Sequence, residues 1–365
     1  MEDTIRMSLA EVRATALAAL AAQGFSPAHA EAIANTVTMA ERDECRHHGL
    51  FRMAFYVNAL RAGQASPDAV PTLSDLAPGV VKVDAHGGFS PLALEVGHQP
   101  LAERARSQGI AALAVNNALN VAALWPEVER LAEEGLVAFA YVSAIPYVAP
   151  AGGIKPLFGT NPMAFAWPRA NHPPLVFDQA SSASARGEIQ IRLRDGKALP
   201  EGWAIGPDGQ PTTDPKVALA GAQLPFGGHK GSCIALMVEL LAGPLVGDVL
   251  SYEAGERDKA NTGAPCGGEL VIAIDPLRCM AGGNREAQLA HGEKLFERLL
   301  EQEGARLPSD RRYEARKRTA VEGVLVPRSL HETLQDFCAG KGAAKLAAYE
   351  GDMLLHEQQI KSAKA

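Results

Sequence analysis

The segment His47-His48-Gly49-Leu50-Phe51-Arg52 holds the residue types best suited to chemistry in this chain. An imidazole, with an ordinary pKa of about 6.5, trades protons near neutral pH, and a guanidinium grips a carboxylate through two parallel N–H bonds. His48 and Arg52 lie four residues apart, so they share a face if a helix has begun by then. Such a pair suits hydride addition to the C=O or C=N of a small acid. The imidazolium neutralises charge arising on oxygen or nitrogen, and the guanidinium fixes which face of the substrate reacts. A solvated His/Arg pair at a helix end is the competing reading, and spacing alone leaves both open.

Three polar turns add candidates. In Phe158-Gly159-Thr160-Asn161-Pro162 the Thr160 hydroxyl can donate to a carboxylate or stabilise its own turn. In Phe226-Gly227-Gly228-His229-Lys230-Gly231 two glycines admit a ligand close to the backbone. His229, Lys230 and a following helix start then outline a phosphate site, or else a capping turn with a solvated lysine. Arg306-Leu307-Pro308-Ser309-Asp310-Arg311-Arg312 reads equally as a phosphate grip or a charged surface loop.

The elements that must position these residues are punctuated clearly. Ser8 and Glu11 form a capping box ahead of an Ala/Leu-rich run that Gly24 stops, and Ser26-Pro27 opens a second helix. A third pattern, Leu50, Phe51, Phe55 and Leu60, ends at Gly63 and puts Arg46 to Arg52 at or near its start. From about residue 72 the texture becomes α/β. Strands are expected at 80–83, 110–115, 136–142, 163–167, 175–178 and 269–274, and helices at 92–108, 230–241, 285–302 and from Leu330 onward. Residues 199–214 form the longest turn-rich stretch. The expected division is a helical region built from both chain ends, 1–75 and 310–365, around a central α/β domain, 76–309.

With 365 residues, 47% hydrophobic and 21% charged, the chain can bury a substantial core. A net charge of -7 and scattered basic residues argue against nucleic acid, and no run of about 20 apolar residues argues for a membrane span. The first residues lack the order of a signal peptide, so a cytoplasmic protein is expected. Five scattered cysteines without a Cys-x-x-Cys pair argue against disulfides and a metal site; Cys45 reads as a small buried residue or a reactive thiol. Gly-x-Gly-x-x-Gly, the P-loop, His-Glu-x-x-His and Gly-x-Ser-x-Gly are all absent from the sequence.

Nearly the whole chain resembles the non-Rossmann malate/L-lactate dehydrogenase family. The matching stretches are 48–52, 147–153, 158–164, 177–181 with 185–187, 225–232 and 306–308. Within that family it is most similar to the reductases of cyclic imino acids, which convert Δ1-piperideine-2-carboxylate to L-pipecolate and Δ1-pyrroline-2-carboxylate to L-proline, and which also make N-methyl amino acids from 2-keto acids and methylamine. The resemblance implies the family's α/β fold, which holds a nicotinamide cofactor, NADPH with NADH as the alternative, without a Gly-rich turn. It also implies a homodimer whose subunits both shape the site. His48 becomes the proton donor and Arg52 and Thr160 the substrate-carboxylate contacts, with Glu188 the carboxylate that supports the histidine. Asn120, Val121, Ala122, Ala123 and Leu124 would contact the cofactor. So would Asp178, Gln179 and Ala180, the His229-Lys230 pair, and Arg306, Leu307, Pro308, Ser309, Asp310, Arg311 and Arg312.

The chain departs from the family in three places. His47 stands where Ser is common, which removes a hydroxyl relay and brings a second titrating ring into the catalytic set; if charged, it opposes protonation of His48. Residues 116–121 lack the histidine-rich pattern of many relatives, and Glu188 is a methylene longer than the Asp that some use. Two other functions stay open: a 2-hydroxy acid dehydrogenase acting on malate, lactate or ureidoglycolate, and a non-catalytic binder of a nucleotide or small acid.

Overall fold

The computed structural model describes residues 3–260, 262–280 and 282–342. A short strand β1 (Thr4–Met7) leads into α1 (Leu9–Ala22), whose start is the expected capping box of Ser8 and Glu11. Gly24 takes a left-handed φ of 92°, a conformation open to glycine, and turns the chain into α2 (Pro27–Arg42), capped by Ser26. The third helix starts later than its apolar pattern suggests. Arg46–His48 and Leu50–Arg52 are two separate 3-10 turns broken at Gly49, where ψ is -139°, and α3 (Met53–Arg61) follows them. His48 and Arg52 therefore share no helix face; two turns at an elbow bring them together.

The middle of the chain supplies β2 (Thr72–Ala77), β3 (Val80–Asp84), α4 (Ser90–Gln108), β4 (Ile110–Leu119), α5 (Trp125–Glu133), β5 (Val137–Val142), β6 (Met163–Trp167) and β7 (Leu175–Gln179). After α6 (Arg186–Arg194), the turn-rich stretch contributes the two-residue strands β8 (Ala204–Ile205) and β9 (Pro211–Thr212). Then come α7 (Pro215–Ala220), β10 (Ala222–Gln223), α8 (His229–Ala242), α9 (Ser251–Arg257), β11 (Cys266–Ile274), α10 (Arg285–Leu300), α11 (Asp310–Glu322), β12 (Val324–Pro327) and α12 (Arg328–Cys338). The part of the expected C-terminal helix beyond residue 342 lies outside the described residues.

Seven strands form the main sheet in the order β2-β3-β4-β11-β5-β6-β7. Only β3 and β4 run parallel within it, as the α4 crossover between them requires, and the remaining neighbours are antiparallel. One face packs Val83, Leu113, Val115 and Val271 under α4 and α5, and the other sets Ala114, Tyr141 and Leu270 against Val238 of α8. A second core joins the chain ends: Leu20, Ile33, Tyr56 and Phe89 pack with Leu334 and Phe337. There β1 pairs antiparallel with β12, a strand pair that the helical texture of both ends gave no hint of.

Candidate active site

A cleft of about 860 Å³ runs between the elbow after α2, the strand β7 and the turn before α11. Its volume falls within the ~300–1,000 Å³ usual for small-molecule and cofactor sites. His47, His48, Arg52 and Thr160 all line it, as do Asn120, Val121, Ala122, Asp178, Gln179 and Ala180. Arg306, Leu307, Pro308, Ser309, Arg311 and Arg312 complete this predicted set. Residues distant in sequence, such as His47 and Arg312, thus meet in one depression.

At the elbow the rings of His47 and His48 stack obliquely, 4.6 Å between centroids, and His48 meets Trp125 edge-on at 6.4 Å. Nδ1 of His48 is buried without a hydrogen-bond partner. The Arg52 Nε donates to the carbonyl of His47 at 2.8 Å, and its guanidinium lies 4.7 Å from the Phe55 ring centroid. Among the described residues no carboxylate pairs with it, so the cleft holds an unneutralised guanidinium.

These surroundings disfavour the charged form of both rings. Burial first, then the charge of Arg52, push His47 down to about 4. His48 is driven well below its ordinary value by burial, then by Arg52 and His47, against a hydrogen bond that the ring donates to the Val121 carbonyl. Both rings therefore favour the neutral form at pH 7. Burial pushes the Cys45 thiol up to about 12, which removes it as a nucleophile although it lines the same cleft.

Thr160 is held by the turn around it. Asn161, at a positive φ of 40°, donates from Nδ2 to Glu239 at 2.7 Å and to the Ala235 carbonyl at 3.1 Å, anchoring the turn to α8. Gly159 is required because a Cβ there would stand 2.7 Å from the Ala144 nitrogen. The Thr160 carbonyl accepts from Ser181, and no partner holds its hydroxyl among the described residues.

On the far side of the cleft, Ser309 sits in the left-handed region at φ 68° and ties its turn to β7 through both Val176 backbone groups, at 2.7 and 3.0 Å. That anchor presents Arg306 and Arg311, both exposed and without ion-pair partners among the described residues. Arg312 stacks on Trp125 at 4.9 Å and reaches the Val176 carbonyl. Free cations at the rim and apolar walls inside are the donor set that a nicotinamide dinucleotide's phosphates and rings need. Arg306 and Arg311 at the rim and the 120–122 loop inside are residues that could hold one.

Several predicted residues stand elsewhere. Glu188 does not reach His48: it pairs with Arg192 at 3.0 Å, one turn along α6, and its side chain is 43% exposed. The helix geometry that favours i,i+4 ion pairs has captured it. Ala123 and Leu124 turn into the core beneath α5. His229 and Lys230 are exposed at the start of α8, outside the cleft lining; His229 contacts the Cys233 sulfur at 3.5 Å. Asp310 closes its own turn by accepting from the Leu307 N–H at 3.0 Å. Asp178 does line the cleft, but one of its oxygens accepts the Leu124 and Trp125 N–H groups and so caps α5.

Sequence reasoning missed Trp125, Phe55 and Tyr147, all cleft residues. Phe55 was accessible, three positions beyond Arg52; Tyr147 opens the matching stretch 147–153 but was given no role, and Trp125 carried no local signal. Among the described residues, no helix is long and apolar enough to cross a membrane, and no cluster could hold a metal ion.

Fold and cleft together define an α/β protein whose largest described cleft is lined by a buried histidine and by an arginine that no carboxylate pairs with among the described residues. The chain belongs to the malate/L-lactate dehydrogenase family, whose model matches residues 7–335. It is 56% identical over 330 residues, 90% of this chain and 98% of the relative, to the Δ1-pyrroline-2-carboxylate/Δ1-piperideine-2-carboxylate reductase of Pseudomonas aeruginosa. It is 52% identical over 328 residues, 90% of this chain and 96% of the relative, to Δ1-pyrroline-2-carboxylate reductase 1 of Burkholderia ambifaria. Among solved structures, Δ1-piperideine-2-carboxylate reductase from Pseudomonas syringae pvar. tomato superposes with a TM-score of 0.86 at 40% identity, covering 92% of this chain and all of that one.

Proposed function

We propose that this chain reduces cyclic imino acids, Δ1-piperideine-2-carboxylate to L-pipecolate and Δ1-pyrroline-2-carboxylate to L-proline, with NADPH as hydride source. The observation that carries the reading is Arg52: a guanidinium lining the cleft with no anion beside it among the described residues is a receptor for a substrate carboxylate. The names of the relatives at 56% and 52% identity support the ring substrate. Exposed Arg306 and Arg311 support a phosphorylated cofactor.

The cofactor, when bound, supplies hydride to the imine carbon. Arg52 and the Thr160 hydroxyl hold the substrate carboxylate and present one ring face. Pairing that carboxylate with Arg52 removes the second of the influences that keep His48 neutral. His48 then takes up a proton as substrate binds and delivers it to the ring nitrogen, which leaves the reaction as a secondary amine. His47, held neutral by the same burial, leaves Arg52 as the main charge opposing that uptake.

A homodimer fits the exposed stripe on α8, where Leu236, Met237 and Leu240 are 49%, 37% and 51% exposed and lie on adjoining turns. Five free thiols fit a reducing compartment such as the cytoplasm. The test follows reduced-cofactor absorbance with Δ1-piperideine-2-carboxylate, then with pyruvate alone and with methylamine, using NADPH and NADH in parallel. Turnover of the cyclic imine with NADPH is expected; no oxidation with any substrate removes the reading.

A further inference from the structure

We propose that Glu41 is a positioning residue for this reaction, holding the elbow between the two 3-10 turns so that His48 and Arg52 enter the cleft together. The inference rests on the imino acid reductase reading. Glu41 is the penultimate residue of α2 and 4% exposed, and nothing in the chemistry above uses it. Its Oε1 accepts the Leu50 N–H at 2.7 Å.

The backbone around the elbow explains why this bond matters. The His48 N–H donates to the Cys45 carbonyl at 2.8 Å, Gly49 to Arg46 at 3.1 Å and Arg52 to Gly49 at 2.9 Å, each within its own turn. The Leu50 N–H is the amide of this stretch that reaches outside it, to a side chain on the preceding helix. It lies at the junction of the turns, so it sets the angle between the His48 and Arg52 backbones. Gly49 carries the second observation: a Cβ there would stand 2.1 Å from Glu41 Oε1. The carboxyl thus lies directly against the Gly49 α-carbon, and glycine is needed so that the helix end and the elbow can close together. Burial raises the Glu41 carboxyl to about 7, opposed by the Leu50 N–H and by Arg46. Neither protonation state loses the acceptor, since a carboxylic acid keeps its carbonyl oxygen.

Glu41 touches neither substrate nor cofactor, so its loss should act through the placement of His48. Two near-isosteric variants separate the hydrogen bond from packing: Glu41→Gln keeps an acceptor for Leu50, and Glu41→Met fills the space without one. Measured with Δ1-piperideine-2-carboxylate and NADPH, Glu41→Gln should stay within about threefold of the wild-type kcat. Glu41→Met should lose about tenfold or more, the size of one disturbed buried hydrogen bond. NADPH affinity should hold within about threefold in both, and it confirms that both are folded. Wild-type kcat in Glu41→Met, or an equal loss in both variants, overturns the proposal. Because wild-type turnover is read in the same assay, a silent wild type rejects the reductase reading instead.

Discussion

Arg316→Met tests whether the two halves of the site are braced to one another. Arg316 lies on α11, just after the cleft-lining Arg311 and Arg312, and its guanidinium reaches Asp43, which precedes the histidine elbow. Nε and Nη2 each bond an Asp43 oxygen at 2.7 Å, and Nη2 also reaches Glu129 of α5 at 2.5 Å. The carboxylates are well buried, with side chains 0% and 7% exposed. Removing one partner of a buried ion pair costs ~3–5 kcal/mol. Asp43 keeps Arg42 at 2.8 Å and Glu129 keeps the Tyr313 hydroxyl at 2.8 Å, so the lower end applies, about 3 kcal/mol. With an unfolding entropy of ~2.1 cal/mol/K per residue over 365 residues, that is a fall of roughly 4 °C in Tm.

The pH dependence carries a definite sign. Burial pushes the Asp43 carboxyl up, but hydrogen bonds from Arg316 and Arg42 outweigh it and hold the group below its ordinary 3.8. Its contribution to stability is therefore present above about pH 4 and lost as pH falls through the lowered value. The deficit of Arg316→Met should be full from pH 7 down to about pH 4 and narrow below it, through the lowered Asp43 value. Chemical denaturation of both proteins across that range measures it. A deficit under 1 kcal/mol at pH 7, or one that grows as pH falls, refutes the reasoning.

Other expectations follow from the same geometry. His48→Ala should lower kcat by about 10²–10⁴, the usual worth of a positioned proton donor, while Arg52→Ala should raise KM by about 10–100-fold; wild-type steady-state rates in both would remove them from the site. Glu269, buried beside Asp178 and Glu127 and bonded to Asn120 at 2.7 Å, is pushed up to about 8. Its raised pKa means that wild-type stability declines as pH climbs from 4.5 toward 8, and Glu269→Gln should flatten that slope in denaturant titrations. Gly159→Ala would place a methyl 2.5 Å from Asn161 Oδ1 and 2.7 Å from the Ala144 nitrogen, so about 1–3 kcal/mol of stability should go together with carboxylate affinity; an unchanged Tm and KM would count against the turn's role.

Local features were legible where local physics is strong. The Ser8/Glu11 capping box and the Ser26-Pro27 helix start were visible, and the strand Met163–Trp167 matched to the residue, because caps and period-two patterns act over a few positions. Glu188 shows the limit. Its place in the chain suited a partner for His48, but the sequence could not reveal that Arg192, one helical turn away, would take the carboxylate first.

The sequence by itself determined which groups could do the chemistry: His48, Arg52, Thr160 and the 306–312 turn, with a family resemblance to connect them. Tertiary structure decided their state and their company. It broke the expected helix at Gly49, where ψ is -139° and the Glu41 carboxyl lies so close that no side chain would fit. It sank both histidines beside a guanidinium that no carboxylate pairs with among the described residues, and burial and that charge hold both rings below their ordinary values. Burial and charge–charge distance are properties of the folded chain, and no spacing along the sequence encodes them.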